Sequence, residues 1–184
     1  MKAEETYLKG CYLLKPLIYE DNRGVFYEAF HEKTFKTQTN WEGSFVQDNV
    51  SVSKKGVLRG LHFQKGAYSQ AKLVSVLEGA VIDVAVDLRS TSKTYGQYFK
   101  IILDCKNKFQ LFVPKGFAHG FLALTENTVF SYKCDAYYHP ESESGIRYDD
   151  KTLAIDWEFP SKEITISEKD KLLPEFTEVE PFNL

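Results

Sequence analysis

The sequence predicts an all-β fold: an antiparallel sandwich or barrel, with a jelly roll as the natural candidate and short helices at its flanks. Three observations carry that prediction. Sheet-favouring aromatics are abundant, with 11 Tyr and 14 Phe in 184 residues, and such side chains suit a pleated, half-buried surface. Short period-two segments recur along the chain, separated by turn-forming clusters. Long helical periodicity is scarce, and no repeat, linker or low-complexity tract intervenes, so residues 1–184 read as one domain.

The clearest strand signal is Ala71 to Arg89. There Ile82, Val84, Val86 and Leu88 alternate with Asp83, Ala85, Asp87 and Arg89. Glu78-Gly79 lies between two such runs and predicts a tight turn, making this stretch a hairpin. Further strands are expected at Gly56–Gln64, Tyr98–Leu103, Gln110–Val113 and Thr128–Tyr137. Turns are expected at Ser90–Lys93, at Asp104–Lys108, and around Pro114 and Gly116. Two short helices are predicted. One is Glu32–Thr39; the other begins at Ser167, whose spacing to Asp170 is that of a capping box with Asp in the usual Glu position.

Bulk composition narrows the function. The net charge of -3 argues against a nucleic-acid or anionic-membrane surface, although a few local cations can hold a small anionic ligand in any acidic protein. No apolar run approaches the roughly 18 residues of a spanning helix. The start, MKAEETYLKG, has no apolar stretch behind its first charges and does not read as a secretory signal. A cytoplasmic protein is therefore expected. Cys11, Cys105 and Cys134 lack paired spacing and read as reduced thiols.

Polar residues crowd onto segments that should be interior strands. Arg59 and His62 lie in Val57–Gln64, with Lys72 shortly after. On a regular strand Arg59 and His62 face opposite sides, so a shared pocket requires a bulge at Gly60 or an end to the strand there. The alternative is a core His bonded to backbone and an Arg reaching solvent. Pro114-Lys115-Gly116 predicts a turn that delivers His119 into the next strand, where a satisfied core imidazole is the plainer reading. Phe130, Tyr132 and Cys134 share one face, expected to point inward. A buried Tyr hydroxyl needs a partner, which a substrate oxygen or the protein itself can supply.

A metal-binding barrel of the cupin kind would offer two histidines one residue apart, a carboxylate soon after, and a third histidine beyond the turn. This chain has His62 but Gln64, then Gln70 and Lys72, leaving only His62 and His119. That is fewer than the three protein ligands of a catalytic site, and a lysine in the ring repels a cation. A metal-free, cofactor-free pocket is expected. Its His, Lys, Tyr and Arg suit epimerisation beside a ketone, which needs a base for the acidic C–H, a cation at the enolate oxygen and an acid on the opposite face.

The chain resembles the dTDP-4-dehydrorhamnose 3,5-epimerase family from about Gly10 to Pro174. The resemblance rests on Asp21–Glu28, Gln47-Asp48-Asn49 with Ser51 and Ser53, Gly56–Gln64, Gln70–Val74, Asp83–Arg89, Pro114–Phe121, Tyr132-Lys133 and Ser167–Asp170. It implies a cupin-type antiparallel jelly roll, working as a homodimer in which one subunit contributes to its neighbour's site. It implies His62 as general base oriented by Asp170, Tyr132 as general acid, and Lys72 beside the C4 oxygen. Arg23, Arg59 and His119 match positions that hold the diphosphate and sugar. Glu28, Gln47 and Asn49 match thymidine contacts, Tyr138 an aromatic that stacks on thymine, and Glu143 and Lys169 further nucleotide contacts. The implied reaction inverts C3 and C5 of dTDP-4-keto-6-deoxyglucose to give dTDP-4-keto-L-rhamnose. A mono-epimerase of the same family is the nearest alternative. A keto-sugar isomerase would move the carbonyl instead, and a sugar-binding cupin without activity would have no use for the base, cation and acid together.

Overall fold

A computed structural model describes residues 1–183. In chain order the strands are β1 (Lys2–Glu5), β2 (Tyr12–Lys15), β3 (Ile18–Asp21), β4 (Gly24–Tyr27), β5 (Gln47–Ser53), β6 (Leu58–Gln64) and β7 (Lys72–Glu78). There follow β8 (Ala80–Asp87), β9 (Tyr98–Asp104), β10 (Gln110–Val113), β11 (Phe117–Ala123), β12 (Thr128–Cys134) and β13 (Glu143–Gly145). Helix α1 spans Glu32–Thr39, as the sequence predicts, and α2 spans Glu168–Lys171.

Two antiparallel sheets, ordered β1-β2-β10-β7-β12-β5 and β13-β6-β11-β8-β9, build the jelly roll. From β5 to β8 the chain changes sheet at every step, which is how a jelly roll wraps. One expectation fails here: β7 and β8 are not a hairpin. β7 pairs with β10 and β12, whereas β8 pairs with β9 and β11. Gly79 (φ +81°) does turn the chain, but it carries it from one sheet to the other. A side chain there would strike Thr125 and Thr128, so the turn is pressed against the β11–β12 connection. Thr128–Tyr137 also stops short, at Cys134.

Both faces of β8 are buried, for different reasons. Ile82, Val84, Val86 and Leu88 face away from the partner sheet and are covered by Ile146, Leu153, Trp157, Phe176 and Phe182 of the C-terminal segment. Val81 and Ala85 face the interior, with Val74, Leu103, Leu111, Phe121 and Phe130. Phe121 and Phe130 stack at 4.0 Å across the two sheets, each burying apolar surface that contributes about 2 kcal/mol. A third cluster packs Phe35 of α1 against Phe112 and Leu73.

Two features stand outside this frame. β3 and β4 form a two-stranded sheet of their own, a unit of marginal stability when isolated. Edge strand β5 reverses the usual pattern: Gln47, Asn49, Ser51 and Ser53 face inward, while Val50 and Val52 are 63% and 62% exposed.

Candidate active site

Strand β6 is bulged at the position that decides the site. Against β11, His119 pairs with His62 but Phe121 pairs with Arg59, so β6 carries one extra residue. Gly60 takes φ +126°, and a Cβ there would lie 2.6 Å from the Cα of Gly120. Only glycine fits so close an approach in that conformation. The bulge brings Arg59 and His62 to one cavity of about 450 Å³, which resolves the alternatives that the sequence leaves open.

A second cavity of about 300 Å³ adjoins it, and His62, Lys72, Tyr132 and Glu143 line both. Arg59, His119, Lys169 and Asp170 line the larger cavity; Gln47, Asn49 and Tyr138 line the smaller. Every site residue expected from the sequence is therefore at the cleft, with two exceptions. Arg23 and Glu28 line neither cavity. Arg23 is exposed at the turn of the β3–β4 hairpin and paired with Asp21.

His62 Nε2 lies 2.7 Å from Asp170 Oδ1, and Asp170 Oδ2 accepts the Gly60 amide at 3.5 Å. The capping box is only half formed. Ser167 Oγ accepts the Asp170 amide at 3.1 Å, but the Asp170 carboxylate turns to His62 rather than back to the cap. Burial raises the Asp170 carboxyl, and the hydrogen bonds from His62 and the Gly60 amide outweigh it, leaving it below the usual carboxylate value.

Burial pulls the Lys72 ammonium below its usual range, against the opposing pull of Cys134, Glu143 and Asp83. Burial also pushes the Tyr132 phenol up, so it holds its proton at neutral pH. Lys72 Nζ lies 6.0 Å from the centre of the Tyr132 ring. At the rim Glu143 Oε2 accepts from Tyr138 Oη at 2.6 Å and from Lys169 Nζ, tying the β12–β13 connection to α2.

Sequence reasoning missed one buried partner. Asp83 Oδ1 lies 2.9 Å from His119 Nε2, and both side chains are buried. Asp83 Oδ2 has no hydrogen-bond partner. The available signal was the period-two run itself, which puts Asp83 on the face opposite Ile82 and Val84. Among the described residues, no group of three or more His, Cys, Asp or Glu is placed to hold a metal ion.

A family model described as dTDP-4-dehydrorhamnose 3,5-epimerase matches residues 5–178. The chain belongs to this family. The dTDP-4-dehydrorhamnose 3,5-epimerase of Escherichia coli (strain K12) is 48% identical over 173 residues, covering 94% of this chain and 93% of that protein. Among solved structures, the dTDP-4-dehydrorhamnose 3,5-epimerase of Elizabethkingia anophelis superposes with a TM-score of 0.93 at 53% identity, covering 96% and 97% of the two chains. A 3,5-epimerase of Legionella pneumophila, solved in complex with dTDP-4-keto-L-rhamnose, gives 0.93 at 46% identity over 97% and 94%. Like the other members of the dTDP-4-dehydrorhamnose 3,5-epimerase family, this chain is an isomerase on a cupin-type jelly roll. Among the described residues, no helix is long and apolar enough to cross a membrane.

Proposed function

We propose that this enzyme inverts C3 and C5 of dTDP-4-keto-6-deoxyglucose through enolates, giving dTDP-4-keto-L-rhamnose for dTDP-L-rhamnose synthesis. The observation that carries the reading is the wall common to both cavities, where His62, Lys72 and Tyr132 meet. A keto-sugar placed there meets all three. Because Asp170 engages His62 Nε2, Nδ1 is the base that takes the proton beside the ketone. Asp170 holds the ring and stabilises the imidazolium that forms. The electron pair of the broken C–H bond moves to the C4 oxygen, where Lys72 donates to the developing enolate. Tyr132 then delivers its proton to the same carbon from the opposite face, and the configuration inverts.

Arg59, His119 and Lys169 supply donors and positive charge for the diphosphate and sugar. Gln47, Asn49 and Tyr138 offer amides and an aromatic ring for the thymidine. Arg23 and Glu28 complete the site from a second subunit. Support for a homodimer comes from the detached hairpin and the inverted β5, which leave Phe26 69%, Tyr19 58% and Val50 63% exposed. Apolar area of that kind is characteristic of an interface. We place the enzyme in the cytoplasm, because its three cysteines are free thiols and suit a reducing compartment.

Incubation with dTDP-4-keto-6-deoxyglucose in D2O tests the reaction. Deuterium at both C3 and C5 with formation of the L-sugar is the expected result. Label and inversion at one carbon alone would make the enzyme a mono-epimerase.

A further inference from the structure

We propose that Ser53 is a positioning residue, a neutral acceptor that aims the Arg59 guanidinium into the cleft without cancelling its charge. The proposal rests on the reading that Arg59 holds the diphosphate.

The chain has four arginines, and three are handled alike. Arg23 pairs with Asp21 at 2.6 Å, Arg89 with Asp87 at 2.7 Å and Arg147 with Asp149 at 2.6 Å, each with an aspartate two positions away. Each of those guanidiniums is held by a carboxylate of the chain. Arg59 differs. It forms no ion pair among the described residues, and its one side-chain hydrogen bond runs from Nε to Ser53 Oγ at 3.1 Å.

The bond crosses the sandwich. Arg59 leaves the bulged strand β6 of one sheet, and Ser53 is the last residue of β5 in the other. Ser53 is 3% exposed, and its backbone pairs with Thr128 in the β5–β12 ladder. The hydroxyl is thus held by the sheet rather than by the arginine it receives.

A guanidinium has five N–H donors on a rigid plane. Fixing Nε fixes rotation of that plane about the Cδ–Nε bond. The four remaining N–H groups on Nη1 and Nη2 are left for a bidentate grip on phosphate oxygens. An aspartate would orient the fork as well, but its charge would cancel much of the attraction for an anionic ligand. A serine gives direction alone.

The test is a double-mutant cycle with dTDP as the probe, read by calorimetry, alongside KM and kcat for the keto-sugar. Ser53→Ala should raise the dTDP Kd and the KM roughly tenfold, with kcat changed by less than about twofold. Thermal unfolding should stay within about 2 °C of wild type, because the ladder is intact. Lysine has no Nε–H fork, so adding Ser53→Ala to Arg59→Lys should change Kd no further. Equal losses in both backgrounds would make Ser53 merely structural and overturn the proposal, as would an unchanged Kd in Ser53→Ala. Arg59→Ala separates the two levels. If it binds dTDP like wild type, the diphosphate reading itself fails, whereas weakened binding in Arg59→Ala with none in Ser53→Ala removes only the role of the serine.

Discussion

His62 and Asp170, 108 positions apart in sequence, meet at 2.7 Å through Nε2 and Oδ1. The contact joins a strand interior to the first turn of α2, and the Ser167 cap fixes that turn. His62→Ala should remove proton abstraction and lower turnover by at least the 10²–10⁴-fold typical of a general base. Asp170→Asn should be milder, since the imidazole stays while its orienting charge is lost. Solvent-deuterium exchange into substrate reads both. Near-normal exchange in His62→Ala would place the base elsewhere.

The pH profile should single out Lys72. A donor to the enolate must be protonated, so activity falls as pH rises through its pKa. Burial lowers that pKa from the ordinary lysine value, so the alkaline limb of kcat/KM moves down. Tyr132 must also be protonated, but burial raises its pKa, so its limb moves up. Burial thus carries the tyrosine limb away from neutral pH and the lysine limb toward it. In Lys72→Arg the charge persists, and the residual activity should lose that limb or show it at higher pH. An unchanged limb would mean that another group sets it.

Much of this could be read in the sequence because it is local. The α1 boundaries, the Gln110–Val113 strand and the choice at Gly60 between a bulge and a strand end, if Arg59 and His62 share a pocket, follow from neighbouring residues and the period of two. What escaped was set at long range. One partner of β7 lies more than fifty residues away in β12 and the other more than thirty away in β10, and nothing around Gly79 states that the chain changes sheet there. The inward turn of Asp83 depends on the C-terminal segment that covers Ile82 and Val84. Arg23 and Glu28 match the family pattern, yet neither lines the cleft, because the β3–β4 hairpin pairs with neither main sheet.

That hairpin gives a complementation test. Mix His62→Ala subunits with Arg23→Ala subunits, each inactive or nearly so alone. If Arg23 serves the neighbouring subunit, every mixed dimer has one intact site, and an equal mixture should recover about a quarter of wild-type activity. If Arg23 serves its own subunit, no mixed dimer has an intact site. Recovery after subunit exchange supports the shared site; its absence in verified mixed dimers overturns it.

Acid stability should reflect Asp87. Burial raises its carboxyl, but hydrogen bonds from Arg89, Ser92 and Thr94 outweigh that and hold it below the usual value. A depressed carboxyl contributes stability that is present above the unfolded pKa of about 4 and is lost as pH falls through the folded value. Asp87→Asn should thus cost roughly 2–4 kcal/mol at pH 7. The gap from wild type should close below about pH 4. Denaturant melts across that range read it, and a gap independent of pH would assign the loss to packing.

Tyr132 decides whether abstraction and reprotonation use different groups. It shares an inward face of β12 with Phe130 and lines the wall common to both cavities. Tyr132→Phe keeps the ring, so its packing against Phe130 at 6.2 Å should persist. Only the proton donor is lost. His62 should still exchange substrate protons with solvent deuterium, because abstraction and return on one face need no second acid. Inversion should fall by about 10²–10⁴-fold. Exchange outrunning inversion, measured by NMR on the recovered substrate, is the signature of a base without its opposing acid. If inversion and exchange fall together, Tyr132 acts in abstraction or binding. If inversion is unchanged, the proton comes from another donor, and water in the cleft becomes the first one to test.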